Sequence, residues 1–174
     1  MIYLKKDKVT IRSMEKEDAQ ILFDKYLSYG WHPNLNTYEN YLKEQTEETR
    51  LVFIAEYDGN VSGIGTLVLN PIEGPFGNQG IPEIVDLGVF CEVQKHGIGN
   101  LLLDVLEAAA AKISKSVYLA VGLHAGYGAA QRIYVKRGYI PDGSGVWYED
   151  KPLEKYADCR NDDDLLLFLY KDLG

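Results

Sequence analysis

Cysteine is scarce: Cys91 and Cys159 are the two in the chain, far apart and outside any Cys-x-x-Cys spacing. That argues against a disulfide scaffold or a thiolate-rich zinc site, so no metal is expected and a reducing cytoplasm is the expected compartment. No run of eighteen apolar residues occurs, nor a basic–apolar leader, nor an internal repeat. A membrane span, a secretory signal and a solenoid are therefore disfavoured. Positive charge is also in deficit: 18 Lys and Arg against 26 Asp and Glu give a net charge of −8. Such a surface is poorly suited to displacing counterions from nucleic acid and fits a cationic partner better. The excess is uneven, because residues 149–164 hold seven acidic and three basic side chains.

Hydrophobic residues make up 46% of the 174 and charged residues 25%. These proportions fit one globular domain, 1–174, that buries about 70% of its unfolded surface. "VTIRSM" (9–14) alternates as a strand does, and Ala19, Leu22, Phe23, Tyr26 and Leu27 follow helical spacing. "GWHPN" (30–34) breaks that helix, and a shorter polar helix is expected over 37–45. Strands over 50–57 and 61–69 are joined by "DGN", a strong hairpin signal. The proline- and glycine-rich stretch 70–82 is a loop long enough to suggest a function.

A strand over 83–90 then leads to a helix over 97–114, with Ile98, Leu102, Val105, Leu106, Ala109 and Ile113 as its apolar stripe. A buried strand over 116–123 precedes a helix in "GYGAAQRIYVKRGY", ended by Gly138 after Lys136 and Arg137. Strands over 145–148 and 164–171 flank the acidic segment. An early hairpin and a later strand–helix–strand crossover imply an α/β (α+β) fold: a mixed sheet with helices on both faces. A doubly wound fold would alternate strand and helix throughout, and this chain does not.

The stretch "CEVQKHGIGNLLLD" (91–104) opens a helix with two glycines at the end of a strand. Free N–H groups and the positive end of the helix dipole favour an anion there. No Gly-Lys-Ser or Gly-Lys-Thr follows, which excludes a P-loop. Leu102 stands where a dinucleotide fingerprint needs a small residue. What remains is Gln-x-x-Gly-x-Gly, from Gln94 through Gly97 and Gly99, which by spacing alone is also compatible with an ordinary tight turn.

Read with a second segment, the pattern is more specific. "EIVDLGVFCEVQKHGIGNLLLDVLEAA" resembles motif A of the GNAT acetyltransferases, and "AAQRIYVKRGY", some thirty residues on, resembles their motif B. The order of strands and helices is also similar, so the resemblance covers nearly the whole chain. Two residues depart from it: Cys91 stands in the place of a usual proline and Tyr127 in that of a common asparagine.

The resemblance implies acetyl-CoA as cosubstrate and a mostly antiparallel sheet whose central parallel strands, 84–90 and 117–122, splay apart. Backbone groups from Gln94 to Asn100, with Gly97 and Gly99 allowing close approach, would ring the pyrophosphate. Lys95 and His96 would add charge or simply be solvated. Gly88, a glycine within a strand, marks a bulge, and the pantetheine arm would bond to the backbone at Leu87 and Val89.

Transfer from a thioester to an amine needs a neutral amine, a stabilised oxyanion and a proton for the thiolate. The Val89 N–H is the expected oxyanion donor. Tyr134 matches the motif B tyrosine that protonates the leaving sulfur, or else packs in the core beside Ala130 and Ile133. Glu83 is the candidate base, placed by the period of two on one face with Val85, Leu87 and Val89; Asp86 points the other way and is the poorer candidate. Neither cysteine suggests a covalent acetyl-enzyme, so direct attack is the expected route.

The acceptor cleft of the family would place Tyr26, Tyr29, Trp31 and His32 on one side and Trp147, Tyr148 and 149–164 on the other. Such walls suit a cationic amine, and equally suit plain packing against the sheet. The expected activity is N-acetyl transfer from acetyl-CoA to an amine, small molecule or protein, with homodimerisation left open. The alternative is a non-catalytic acyl-CoA-binding sensor or interaction module.

Overall fold

The computed structural model describes all 174 residues, 1–174. In chain order the elements are β1 (Ile2–Lys6), β2 (Val9–Ser13), α1 (Lys16–Ser28), α2 (Leu35–Thr46), β3 (Arg50–Tyr57), β4 (Asn60–Val68) and β5 (Glu83–Val89). There follow α3 (Ile98–Ala110), β6 (Ser116–Gly122), α4 (Gly128–Lys136), β7 (Ile140–Tyr148), β8 (Lys151–Pro152) and β9 (Leu165–Asp172). The nine strands form a mixed, mostly antiparallel sheet, the expected class. The chain divides into two compact units, Met1–Val68 with Asp86–Ala108 and Leu69–Val85 with Ala109–Gly174, so that β5 belongs to both.

In the first unit β1 to β4 form an antiparallel meander. The expected hairpin forms: Asp58 and Gly59 both take positive φ, 50° and 78°, which matches the right-handed twist of the flanking strands. β1 was not expected. Ile2, Tyr3, Lys5 and Lys6 are all exposed, so its sequence carries no buried alternation to read. α1 starts on a reciprocal cap between Glu15 and Asp18. Asp18, 1% exposed, is paired by the Arg12 guanidinium at 2.6 and 2.9 Å, which gives a buried charge the partner it needs.

One face of this unit is closed by α1 and α2, where Leu22 and Tyr41 pack with Val52, Ile54, Ile64 and Phe90. The other is closed by α3, whose Leu102 and Leu106 reach Gly65 beside Leu87. Leu106, with Leu87, fills the space that Gly65 leaves, and Leu102 is fully buried beside them. The helix ends at Ala110, four residues earlier than expected. The N–H groups of Ile113 and Ser114 close on the Ala110 carbonyl, and Ile113 stays exposed while Leu103 and Ala110 complete the buried stripe.

In the second unit the parallel pairing of β5 with β6 consists of Glu83–Tyr118 and Ile84–Leu119. Pairing at the start of two parallel strands, without continuation along them, is the splay expected. β6 pairs antiparallel with β9, and β9 with β7. β7 starts at Ile140, five residues earlier than expected, and its register breaks between Pro141 and Val146, where Gly143 and Gly145 take positive φ. The acidic segment opens as a hairpin, with Glu149 and Asp150 left-handed and the two-residue β8 pairing with Trp147 and Tyr148. Such a short strand leaves no periodicity in the sequence. The core holds Tyr118, Trp147 and Phe168, with Phe76 from the 70–82 loop packed on Tyr118 at 4.9 Å between rings.

Candidate active site

From Phe90 the chain makes a short 3-10 turn at Cys91–Val93 and enters α3 at Ile98. Lys95 and Gly97 take left-handed φ of 66° and 78°. That sequence of turns leaves the first N–H groups of α3 without intrahelical acceptors and aims them out of the helix start. No acidic residue occupies the first turn, and Gln94, Lys95, His96, Gly97 and Asn100 are exposed. A Cβ at Gly97 would meet nothing within 4 Å, and one at Gly99 only Val89 Cγ2 at 3.8 Å. The loop therefore fits a pyrophosphate: it is open, lined by backbone donors and leads into a first helical turn with no carboxylate.

Its side chains face elsewhere. The Gln94 amide donates to the Val89 carbonyl at 3.3 Å, tying the loop to the end of β5. His96 Nδ1 lies 3.0 Å from the Gln94 carbonyl, and its ring leans on Tyr57 at 4.8 Å. Together they edge an open groove of about 490 Å³ whose other walls include Lys6, Lys8, Asn100 and Asp104. Glu92 braces the front of the loop. It accepts from Lys25 Nζ and the Tyr29 hydroxyl, each at 2.5 Å, and the Tyr29 oxygen accepts the Cys91 N–H at 3.1 Å. The Lys25 ammonium first, and the Tyr29 hydroxyl after it, lower the Glu92 carboxyl to about 2.

Along β5 the residue that departs from strand geometry is Asp86, at φ 54°, and not Gly88. The bulge expected at the glycine thus sits two residues earlier. A left-handed residue interrupts the period of two, so alternation no longer places Glu83 on the face of Leu87 and Val89. Beyond the bulge Leu87 and Val89 point toward α3, by their contacts at Gly65 and Gly99. Asp86 and Gly88 point toward the helical pair α1 and α2: the Tyr41 hydroxyl donates to the Asp86 carboxylate, and a Cβ on Gly88 would stand 2.7 Å from the Tyr26 hydroxyl. Gly88 is needed for this close approach.

Tyr134 in α4 is buried, 6% exposed, with its ring 5.8 Å from that of Tyr139. Burial pushes its hydroxyl up to about 12, so it holds its proton through the neutral range. Glu83 accepts a hydrogen bond from the Tyr118 hydroxyl at 3.2 Å. Tyr118 is itself fully buried, and burial disfavours its ionisation. Tyr127, in the place of asparagine, donates to Asp163 at 2.9 Å while its ring lies against Gly122. The same Asp163 oxygen takes His124 Nε2 at 2.9 Å, and His124 Nδ1 accepts the Gly126 N–H.

Of the aromatic residues read as acceptor walls, Tyr26 stacks on Trp31 at 5.2 Å with 4° between planes, and Trp31 is 58% exposed. Tyr29 and Phe90 complete that group. Trp147 instead packs on Phe168 at 5.1 Å and belongs to the core. Tyr38 and Tyr41 were not singled out from the sequence. They sit at i and i+3 on α2, and both are next to Asp86.

The family model "Acetyltransferase (GNAT) family" matches residues 14–139. Among solved structures, an N-acetyltransferase from Staphylococcus aureus Mu50 is similar at 19% identity and a TM-score of 0.71, over 97% of this chain and 100% of that one. A ribosomal-protein-alanine N-acetyltransferase from Brucella melitensis is 20% identical, with a TM-score of 0.68 over 93% and 98%. The protein yncA of Salmonella typhimurium, solved with its cofactor acetyl-CoA, is 18% identical, with a TM-score of 0.69 over 97% and 95%. No curated protein matches the chain. No helix is long and apolar enough to cross a membrane.

Proposed function

The chain belongs to the acetyltransferase (GNAT) family, and on that premise we propose that it moves the acetyl group of acetyl-CoA directly onto a cationic amine. One observation carries the donor half: left-handed Lys95 and Gly97 lead into a first turn of α3 with no carboxylate in it. Backbone N–H groups over 94–100 take the pyrophosphate, and the β5 backbone at Leu87 and Val89 takes the pantetheine arm. Lys95 adds a positive charge at the loop, and His96 holds its turn through the Gln94 carbonyl.

The chemistry is assigned residue by residue. The amine lone pair attacks the thioester carbon, a C–N bond forms, and the Val89 N–H donates to the oxygen that becomes negative. As the oxyanion collapses the C–S bond breaks, and Tyr134 gives its proton to the sulfur. A phenol pushed up to about 12 by burial is fully protonated beforehand, so the proton is in place when the C–S bond breaks. Before attack Glu83 takes one proton from the ammonium to expose its lone pair, and the second proton, shed by the nitrogen once the C–N bond has formed, replaces the one Tyr134 gave to the sulfur. Support for a cationic acceptor comes from the net charge of −8 and the exposed Trp31 stacked on the half-buried Tyr26. Two free, exposed cysteines suit a reducing cytoplasm as the place of action.

A thiol-release assay with acetyl-CoA against a panel of amines tests this reading. Amine-dependent release is expected. Tight acetyl-CoA binding with no release for any amine would instead favour a sensor.

A further inference from the structure

Asp86 is the non-glycine residue of β5 in the left-handed region, at φ 54°. A backbone of this kind costs free energy that the surroundings must supply, and bulges of this kind re-aim a side chain. Here the carboxylate is re-aimed among tyrosines. The Tyr41 hydroxyl donates to it, and the Tyr41 ring is 8% exposed and capped by the Arg50 guanidinium 4.5 Å from its centroid. Arg50 itself is spent on Glu44 and Thr66. Tyr38 lies 6.1 Å from Tyr41 and 6.3 Å from Tyr26, ring to ring. Burial first, and the nearby Asp86 charge after it, hinder ionisation of both Tyr26 and Tyr38.

The result is an exposed carboxylate that enters no ion pair, oriented by a buried phenol and near the phenols of Tyr26 and Tyr38. A carboxylate can accept several hydrogen bonds, of which Tyr41 supplies one. The chemistry that fits the remainder is an alkylammonium, held by a charge-assisted hydrogen bond to the carboxylate oxygen.

We propose that Asp86 is a specificity-determining residue that anchors a second ammonium group of the acceptor, so that the preferred substrate carries two amines joined by an alkyl chain. The inference rests on the acetyl-transfer reading for the place of the reacting nitrogen. That nitrogen must be neutral when it attacks at Val89, so the cation held by Asp86 is a different one. Val89 lies three residue steps beyond Asp86, about 10 Å of rise, which sets the order of the distance between the two nitrogens. Tyr41 is a positioning residue that fixes the carboxylate.

The test compares α,ω-diaminoalkanes of increasing length with monoalkylamines of the same carbon number, in the wild type, Asp86→Asn and Tyr41→Phe. Asparagine tolerates the left-handed backbone and still accepts from Tyr41, so the fold is kept and the charge alone is removed. The wild type should prefer a diamine by about 10- to 100-fold in kcat/KM, the worth of one hydrogen bond to a charged group. Asp86→Asn should abolish the preference through KM, with acetyl-CoA affinity retained, and Tyr41→Phe should weaken it by a smaller factor. Calorimetric titration of the same diamines gives a readout independent of turnover. Diamine binding that needs Asp86 without thiol release would sustain this anchor and overturn acetyl transfer. Turnover of mono- and diamines alike, with no change in Asp86→Asn, would overturn the anchor and leave acetyl transfer standing. Absence of diamine binding to the wild type would also overturn it.

Discussion

Gly63 in β4 faces the backbone of β5 so closely that a methyl group there would act directly on the proposed oxyanion donor. A Cβ at Gly63 would lie 2.6 Å from the Gly88 carbonyl oxygen and 3.3 Å from Val89 Cα. The first contact is 0.8 Å short of an ordinary 3.4 Å separation, and both neighbours are main chain, which cannot rotate out of the way. Gly63→Ala must therefore push the end of β5 outward by most of an ångström. Overpacking of this kind costs about 1–3 kcal/mol of stability, to be read by urea unfolding. The same shift carries the Val89 N–H off the carbonyl oxygen it is assigned to hold, and misplacement by about 1 Å costs on the order of 10²-fold in rate. Steady-state kcat in the thiol-release assay, on protein verified folded by circular dichroism, is the measurement. Gly88→Ala supplies a contrast: its Cβ would meet the Tyr26 hydroxyl at 2.7 Å, the far end of a side chain that can swing. Its stability cost should be smaller, about 1 kcal/mol at the low end of the same range. A folded Gly63→Ala with stability and kcat within about twofold of wild type, against the ~10² expected, would refute the placement of the oxyanion at Val89.

Tyr134→Phe keeps the buried ring and removes the hydroxyl, so kcat should fall by about 10²–10⁴-fold while calorimetric acetyl-CoA affinity stays level. A loss below about threefold, far short of that range, returns Tyr134 to a packing role. Gly99→Asp should fold, since a Cβ there touches only Val89 Cγ2 at 3.8 Å, yet lose acetyl-CoA binding, because its carboxylate would face the pyrophosphate; unchanged affinity contradicts the loop assignment. Leu102→Ala, at a fully buried position against Gly65, should cost about 2–5 kcal/mol in denaturant unfolding. The Glu92 carboxyl is depressed from 4.5 to about 2, so the Lys25–Glu92–Tyr29 brace is fully present above pH 4.5 and is lost as pH falls through 2. A carbon-detected titration of Glu92 should show the low midpoint, and Lys25→Met should raise it.

Much of the fold was legible because its signals are local. Asp58-Gly59 prescribes its hairpin, Gly138 its helix end, and the 97–110 stripe its buried face. The donor loop was legible because Gln-x-x-Gly-x-Gly at a strand end is a motif with a backbone cause. What escaped notice depends on tertiary context. β1 is exposed apart from the half-buried Leu4 and β8 is two residues long, so neither has a pattern to read. The bulge was assigned to Gly88 because glycine adopts positive φ without strain, whereas the structure gives that conformation to Asp86 and reserves Gly88 for the approach of Tyr26. An aspartate within a strand is itself out of place by propensity, and that was the one signal for it. Trp147 read as an acceptor wall because aromatic residues look alike in sequence until a core claims them.

The division of the chain has a consequence for its synthesis. The first unit needs Met1–Val68 and then Asp86–Ala108, and the second begins at Leu69 but resumes only at Ala109. Neither can close from an unbroken stretch of nascent polypeptide. At about 5–20 residues per second, the seventeen residues from Leu69 to Val85 delay the arrival of Asp86 by roughly 1–3 s after Val68 is added. During that interval β4 is a newly made edge, with the face at Gly65 still lacking Leu87, Leu102 and Leu106 and its outer hydrogen-bonding groups open. The ribosome-bound chain is then most prone to pair with a neighbour. A pause while the 70–82 loop is being translated prolongs that exposure, and one after Ala108 does not.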